Sequence, residues 1–260
     1  MSYVSVLKWD SGFFGRVTAR IRKGVVVTPA NSRRIGDEIR RKRVAFLYYF
    51  QSVGHLDNLG LVLKMGLRPV DVTAVLRKEL AADAPGAGPL EVRDILRGGP
   101  SVRLGALKDL ARELSRESRF HADRELERSA AVRLYESWLD RAVSGTYADF
   151  FFVIGPSEAP KGFVVYRTTG AREVELSLLV VMKHARGRGL GRKMIEQSLG
   201  ELRRRGFRRC LVRTQLRNTA ALNAYEFCGF KFQEASFVFH GHYASRAASG
   251  PRALRSSRQT

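Results

Sequence analysis

The feature that most constrains this chain is an apolar strand pattern that runs into a glycine-rich turn and then into an amphipathic helix. The strand pattern ends at Met182, and the turn spans 186–191 as Arg-Gly-Arg-Gly-Leu-Gly. Apolar residues at helical spacing predict a helix over 190–205, which Gly206 ends. Glycines let the backbone approach a ligand closely, and the N–H groups at a helix N-terminus attract anions. The turn therefore predicts a binding site for a diphosphate.

Basic residues surround this turn, and two other phosphate-binding motifs do not fit it. Arg186, Arg188, Arg192 and Lys193 place positive charges around the glycines. The turn does not end in the Gly-Lys-Ser/Thr of a Walker loop, and its glycine spacing differs from Gly-x-Gly-x-x-Gly. The alternative without a ligand is a tight basic turn that only connects a strand to a helix.

Two motifs resemble the GNAT superfamily of N-acetyltransferases. Residues 186–191 match that family's Arg/Gln-x-x-Gly-x-Gly/Ala pyrophosphate loop, and residues 218–230 match its second motif, in which an Asn and then a Tyr precede a Gly-Phe pair. The resemblance implies an α/β chain with the GNAT fold: a mixed, mainly antiparallel sheet, flanked by helices and split by the cofactor, over roughly 102–240. It also implies an acyltransferase that uses acetyl-CoA as co-substrate.

The same resemblance implies where the cofactor binds. Backbone N–H groups at the end of the strand would polarise the acetyl carbonyl and hold the pantetheine arm. Tyr225 would be the general acid that protonates the departing thiolate, and the alternative is a half-buried core tyrosine. Asn218 would hydrogen-bond the pantetheine or cap the helix that starts at Thr219, and the two roles are compatible. The predicted cofactor-binding residues are Leu179, Val180, Val181, Arg186, Gly187, Arg188, Gly189, Leu190, Gly191, Arg192, Asn218 and Tyr225.

A catalytic base and the acceptor-binding residues are harder to read from the sequence. Water molecules can remove the ammonium proton in such sites, so a side-chain base is not required. Glu175, on the strand that leads into the turn, is the candidate carboxylate, and a solvated edge glutamate is the alternative. Arg119 and Phe120 fall where the resemblance places the acceptor, the arginine for a diphosphate and the ring for stacking. The alternative is that Arg119 is only a charge at the end of a helix and that Phe120 is only a core residue.

A narrower resemblance, to the TDP-fucosamine acetyltransferases, extends over most of the chain. It is carried by residues 9–15, 118–120, 142–146 and 214–222. It implies a two-part enzyme with a smaller N-terminal α/β region of partial GNAT-like structure. The acceptor would be an anionic nucleotide-linked amino-deoxy sugar, N-acetylated by direct transfer. A homodimer is compatible with this resemblance.

Composition shifts and periodicity predict the domain organisation. Residues 1–80 would form the N-terminal α/β region, 81–101 a linker with a Pro- and Gly-rich start, 102–243 the acetyltransferase domain, and 244–260 a basic disordered tail. The predicted helices are 57–65, 104–114, 123–144, 190–205 and 219–228. The predicted strands are 45–50, 70–76, 150–154, 162–167, 173–182, 208–214 and 230–240, with an antiparallel hairpin formed by 150–154 and 162–167.

The net positive charge of the chain indicates an anionic partner, but it does not identify that partner. The formal net charge of +21, from 46 Lys and Arg against 25 Asp and Glu, attracts coenzyme A, nucleotide-sugars, nucleic acid and anionic membrane surfaces. The first alternative is a GNAT enzyme that acts on an aminoglycoside, a polyamine or a protein, although cationic acceptors suit this charge poorly. The second is a GNAT-like protein that only binds nucleic acid. The intact glycines of the turn and Tyr225 argue against the second.

Composition also excludes several other classes. A hydrophobic fraction of 44% is enough for a packed core. Two cysteines exclude a disulfide scaffold, and the five histidines show no metal-ligand spacing, so we predict that no metal is used. Residues 1–10 lack a leader pattern, and no apolar run approaches the length of about 20 residues that crosses a bilayer. We therefore predict a cytoplasmic protein without a membrane span.

Overall fold

The structure, a computed structural model, describes residues 2–81, 92–96 and 102–243. These residues fall into two compact units. The first comprises Met1–Pro69 and Phe239–Thr260 as far as they are described, and the second comprises Val70–Val238. No helix within the described ranges is both long enough and apolar enough to cross a bilayer.

The first unit is a small α/β assembly. Its elements are β1 (Val4–Val6), α1 (Lys8–Phe14), β2 (Thr18–Ile21), α2 (Pro29–Arg41), β3 (Phe46–Ser52), a 3-10 turn (Leu56–Asn58), α3 (Leu59–Lys64) and the start of β4 (Leu67–Glu79). β1 is antiparallel to β2, and β2 is parallel to β3. The strand predicted over 45–50 is confirmed as β3. The helix predicted over 57–65 is confirmed as the 3-10 turn followed by α3, which ends before Gly66.

Helix α2 has no counterpart among the predicted helices. It begins with a capping box in which the Asn31 side chain accepts from the N–H of Thr28 at 2.9 Å, and Pro29 occupies its first turn. Only Ile35, Glu38 and Ile39 are buried among its 13 residues. Three buried positions are too few for hydrophobic periodicity to predict the helix. The capping box is the sequence signal that marks its start.

The second unit holds a larger sheet. Its elements are the rest of β4, β5 (Val92–Asp94), α4 (Leu104–Ser115), α5 (Arg119–Ala122), α6 (Arg128–Val143), β6 (Phe150–Ile154), β7 (Gly162–Gly170), β8 (Glu173–Val181), α7 (Leu190–Arg204), β9 (Arg209–Gln215), α8 (Thr219–Phe227) and most of β10 (Lys231–His242). The strands lie in the order β10-β4-β9-β8-β7-β6-β5. The β8–β9 pair is parallel, whereas β4–β9, β5–β6, β6–β7 and β7–β8 are antiparallel. The predicted mixed, mainly antiparallel sheet flanked by helices is confirmed.

Helix α7 is fixed in place by the apolar stripe that its sequence predicts. Met194, Ile195 and Leu202 are buried and share one core with Leu176 of β8 and Val212 of β9. Burying such side chains stabilises the packing by about 1.5–3 kcal/mol each. Because α7 packs on the same strands that precede and follow it, its N-terminus is held at the carboxyl end of β8.

The helix predicted over 123–144 begins later than expected. Asp123 has extended backbone angles, φ −77° and ψ 110°, and its carboxylate accepts from the N–H of Glu125 at 3.0 Å. Such a side-chain turn competes with helical hydrogen bonding, so α6 starts only at Arg128. Residues before it form the separate short helix α5, which Ser118 caps by accepting from the N–H of His121.

The predicted domain boundaries fall partly on residues that the structure describes. Strand β5 lies within the segment 81–101 that we predicted as a linker, and it pairs with β6. Residues 82–91 and 97–101 of that segment, and the predicted tail 244–260, lie outside the described residues. The boundaries of the domains therefore stay a prediction.

Candidate active site

A cleft of about 640 Å³ opens at the carboxyl end of β8. Its floor is formed by residues 179–181, and one wall by 186–192 with the exception of Arg188. A second wall is formed by 217–221 with Ala224, at the start of α8, and the third side by Glu113 and Leu114 of α4 together with Glu117, which follows that helix. Predicted cofactor residues from β8, from the turn and from α8 therefore meet around one cavity.

The floor of the cleft is a stretch of β8 whose backbone is unpaired on one side. β8 pairs with β9 only over 173–176, against 209–212. On its other side β8 stays paired with β7, across an irregularity between Val165 and Tyr166. Among the described strands, residues 177–181 thus have no partner on the β9 side. Unpaired backbone groups need a hydrogen-bonding partner, so this edge can bind an extended amide chain such as pantetheine.

The glycine-rich turn has the backbone conformation that an anion site requires. Gly187 and Gly189 have φ angles of 77° and 73°, in the left-handed region that glycine adopts without strain. Gly189 is also the N-cap of α7, and a Cβ atom at either glycine would point into open space. The first N–H groups of a helix lack partners within it and carry its positive dipole. The turn and the start of α7 therefore fit a diphosphate.

The basic side chains around the turn differ in what they contact. Arg186 does not extend freely, because its Nε donates to the carbonyl of Val181 at 2.9 Å and its Nη2 to the carboxylate of Glu113 at 2.8 Å. It braces the turn against β8 and α4. The guanidinium of Arg192 lies 3.7 Å from the ring centroid of Phe227, a cation–π contact. Arg188 is exposed and is not part of the cleft wall.

Asn218 lies in the second wall and caps α8. Its side-chain oxygen accepts from the N–H of Ala221 at 3.1 Å. The structure thus shows the capping role that the sequence left open. Binding of the pantetheine by the same side chain stays a prediction.

We expect Asn218→Ala to lower the free energy of unfolding by about 1 kcal/mol, because the cap of α8 is lost. Chemical denaturation measures this change, and calorimetric titration with acetyl-CoA measures the affinity in parallel. Asn218→Ser is the control, since serine keeps the cap. If stability returns in the serine variant and affinity does not, Asn218 also binds the cofactor. An unchanged stability in Asn218→Ala would contradict the capping role.

Tyr225 is buried and lies behind the wall of the cleft. It is 4% exposed, and its ring centroid lies 5.6 Å from that of Phe230. Ala221 and Ala224 line the cleft, whereas Tyr225 is not among the lining residues. Burial raises the pKa of its phenol well above the ordinary value, so the group keeps its proton over the working pH range. Its role as general acid stays a prediction.

Glu175 lies outside the cleft lining, on the part of β8 that is still paired. It is half-buried and faces Arg167 of β7 in the strand register. Burial raises the pKa of the nearby Tyr147 phenol; Arg167 lowers it, and the Glu175 carboxylate adds to the rise. These three side chains therefore lie close together, and the surroundings of Glu175 are those of a polar surface group. Its assignment as a base stays a prediction.

The two predicted acceptor residues are placed differently. Phe120 is 2% exposed and packs edge-on against Trp138 at 6.0 Å, so its ring belongs to the core and is not available for stacking on an acceptor. This is the alternative that the sequence left open. The guanidinium of Arg119 lies 4.3 Å from the Phe120 ring centroid, and its charge slightly counteracts the rise that burial causes in the pKa of the Asp71 carboxyl.

Eight residues that line the cleft were not predicted as site residues, and three of them carry a charge. Glu113 and Glu117 form the side contributed by α4 and the residues after it, and Arg217 precedes the cap of α8. The glutamates occupy ordinary polar positions of an amphipathic helix and its end, so no local pattern marks them. Arg217 stands directly before the recognised Asn218, and this adjacency was its only signal.

Comparison with known proteins agrees with this geometry. Residues 107–230 match the family described as Acetyltransferase (GNAT) family. A dTDP-fucosamine acetyltransferase of Escherichia coli O6:H1 is 27% identical over 241 residues, which cover 90% of this chain and 96% of that protein. N-alpha-acetyltransferase 30 of Saccharomyces cerevisiae is 26% identical over 122 residues, 45% of this chain and 69% of that protein.

A solved structure supports the fold over nearly the whole chain. The crystal structure of a GCN5-related N-acetyltransferase from Sphaerobacter thermophilus superposes with a TM-score of 0.58 at 15% identity, covering 92% of this chain and 76% of that one. At this identity the likeness concerns the fold alone. Together with the family match and the cleft beside the glycine turn, it leads to one conclusion: the chain carries a GNAT acetyltransferase domain over residues 107–230, and the protein is an acyltransferase.

Proposed function

We propose that this protein transfers the acetyl group of acetyl-CoA to the amino group of a nucleotide-linked amino-deoxy sugar. The observation that carries the proposal is the cleft, in which an anion-binding turn lies beside the unpaired edge of β8. The acceptor class is supported by the relative named a dTDP-fucosamine acetyltransferase, whose sequence aligns over 96% of its length.

The reaction proceeds by direct transfer between the two substrates. Backbone N–H groups at 179–181 donate to the acetyl carbonyl and stabilise its developing negative charge. The acceptor amine, freed of one proton to water or to Glu175, forms a bond to the carbonyl carbon. The carbon–sulfur bond then breaks while Tyr225 protonates the departing thiolate, and the second proton lost by the nitrogen restores the phenol. The products are an amide and free coenzyme A.

The charge of the protein favours an anionic acceptor. With a net charge of +21, long-range attraction raises the local concentration of nucleotide-sugars and lowers that of polycations. Such attraction depends on the sign of the acceptor's charge and not on its chemical identity. It therefore supports the nucleotide-sugar class without choosing a base or a sugar.

A second candidate is acetylation of a protein N-terminus. It is favoured by the 26% identity to N-alpha-acetyltransferase 30. That similarity covers 45% of this chain, whereas the amino-sugar relative covers 90%. Binding of nucleic acid without catalysis is the remaining alternative, supported only by the charge.

A titration and an activity assay test the proposal. Calorimetry with acetyl-CoA is followed by a thiol-release assay against TDP-linked amino-deoxyhexoses, aminoglycosides, polyamines and N-terminal peptides. We expect tight cofactor binding and thiol release with an amino sugar. Release only with peptides would replace the proposal by the second candidate. Failure to bind acetyl-CoA, with salt-sensitive binding of nucleic acid, would favour the non-catalytic alternative. A cytoplasmic location, a homodimer and the absence of a metal stay predictions beside this one.

A further inference from the structure

Arg217 presents a fixed guanidinium on the second wall of the cleft. Its side chain is 44% exposed and lines the cleft. Its Nη2 donates to the carbonyl of Glu117 at 3.0 Å and to that of Ser118 at 3.4 Å, and lies 3.6 Å from the carboxylate of Asp71. Within the part of the chain that the structure describes, every recorded contact of this guanidinium uses Nη2. Because a guanidinium carries five N–H donors, those on Nε and Nη1 remain for a ligand.

Asp71 holds this guanidinium from inside the protein. Its side chain is 3% exposed, and its Oδ1 accepts from the N–H of Val72 at 2.9 Å. Its Oδ2 has no hydrogen-bond donor among the described residues and is nearest to Arg217. Burial raises the pKa of this carboxyl, while Arg217 and Arg119 counteract the rise. The proximity of the two groups, 3.6 Å between Nη2 and Oδ2, favours the ionised carboxylate and restrains the position of Arg217.

Arg217 is separate from the groups that fit the cofactor phosphates. The turn at 186–192 and the start of α7 already supply the donors for one diphosphate. Arg186 donates to the carboxylate of Glu113 in α4, whereas Arg217 donates to the backbone carbonyl of Glu117, four residues further along the chain. The cleft therefore has a second cation, whose Nε and Nη1 donors are not used by the residues that the structure describes.

We propose that Arg217, positioned by Asp71, binds the diphosphate of the nucleotide-linked acceptor. This inference rests on the proposed function and adds to it the residue that selects an anionic acceptor. Arginine suits this task because its planar donor array matches phosphate oxygens. Asp71 acts through Arg217 and is a positioning residue.

Binding of thymidine diphosphate to the full chain saturated with coenzyme A tests the inference. Coenzyme A fills the phosphate-binding turn, so the remaining binding reports on a second anion site. We expect Arg217→Ala to weaken the affinity for thymidine diphosphate about 10- to 100-fold in calorimetric titration, and Arg217→Lys to restore part of it. Arg116→Ala, which removes an exposed arginine outside the cleft, is the matched control and should leave the affinity unchanged.

The outcomes separate this inference from the proposed function. If wild-type protein binds thymidine diphosphate only when coenzyme A is absent, the anion site belongs to the cofactor and the inference is overturned. Equal affinity in wild type and Arg217→Ala also overturns it. Arg217-dependent binding without acetylation of any amino sugar would support the anion site and refute the proposed function.

Asp71→Asn tests the positioning role. With a nucleotide-sugar acceptor, we expect KM for the acceptor to rise several-fold, while kcat and KM for acetyl-CoA change little. Acetylation of the same amino sugar without its nucleotide should be unaffected. A variant that only loses thermal stability, with unchanged KM for the nucleotide-sugar, would contradict the positioning role.

Discussion

We expect Tyr225→Phe to lower kcat for acetyl transfer by about 100-fold or more, the range for loss of a general acid. The affinity for acetyl-CoA should change little, because the buried ring remains and a general acid acts on the thiolate only as it departs. Steady-state kinetics and calorimetric titration measure the two quantities. Burial raises the pKa of this phenol, so in the wild type its ionisation should not lower kcat below pH 10, the ordinary tyrosine pKa being about 10.

Tyr166→Phe is the matched control for this prediction. Tyr166 is fully buried in the same core, and its hydroxyl forms a hydrogen bond with that of Ser198 at 2.7 Å. Removing this hydroxyl should lower stability by about 1 kcal/mol and leave kcat nearly unchanged. If Tyr225→Phe behaves like the control, the thiolate is protonated by another group.

Gly189→Val raises the dissociation constant for acetyl-CoA at least tenfold. The backbone at Gly189 has φ 73°, a conformation that costs a side-chain-bearing residue about 1–2 kcal/mol and more when the residue is β-branched. Relief of this strain moves the N–H groups of the turn away from the cofactor phosphates. The added side chain also points into open space beside the cleft. Calorimetric titration measures the change.

Gly206→Val provides the control at the other end of the same helix. Gly206 follows α7 with φ 95°, so valine strains the backbone there as well. We expect a comparable loss of stability with an unchanged affinity for acetyl-CoA. Equal weakening of cofactor binding in both variants would mean that α7 as a whole, and not the turn, had been disturbed.

Local patterns in the sequence predicted the cofactor half of the site. The turn at 186–191 and helix α7 were predictable because glycine conformation and a 3.6-residue stripe are properties of neighbouring residues. The hairpin of β6 and β7 was predictable for the same reason, since a short turn joins two apolar runs. Asn218 was identified from its spacing to Tyr225 and to the Gly-Phe pair.

The surroundings of Arg217 and of Phe120 could not be predicted in the same way. Glu117 and Asp71 meet Arg217 from segments 100 and 146 positions away in sequence, and no local periodicity encodes such a meeting. Phe120 was assigned to the acceptor by its position in a resemblance, whereas the structure buries it under Trp138. Aromatic side chains can pack in a core or contact a ligand, so the residue type alone does not show which of the two roles Phe120 has.

Strand β4 restricts where the chain can be cut to give a fragment that folds. Residues 73–79 of β4 pair with all of β9, yet they precede the predicted acetyltransferase domain, 102–243, by more than 20 positions. A fragment cut at 102 would leave β9 with an open edge of backbone N–H and C=O groups, which invites pairing with other chains. Such a fragment should aggregate on expression. An exchange of the catalytic half between homologues that keeps β9 with its own partner strand would therefore have to include residues 70–80.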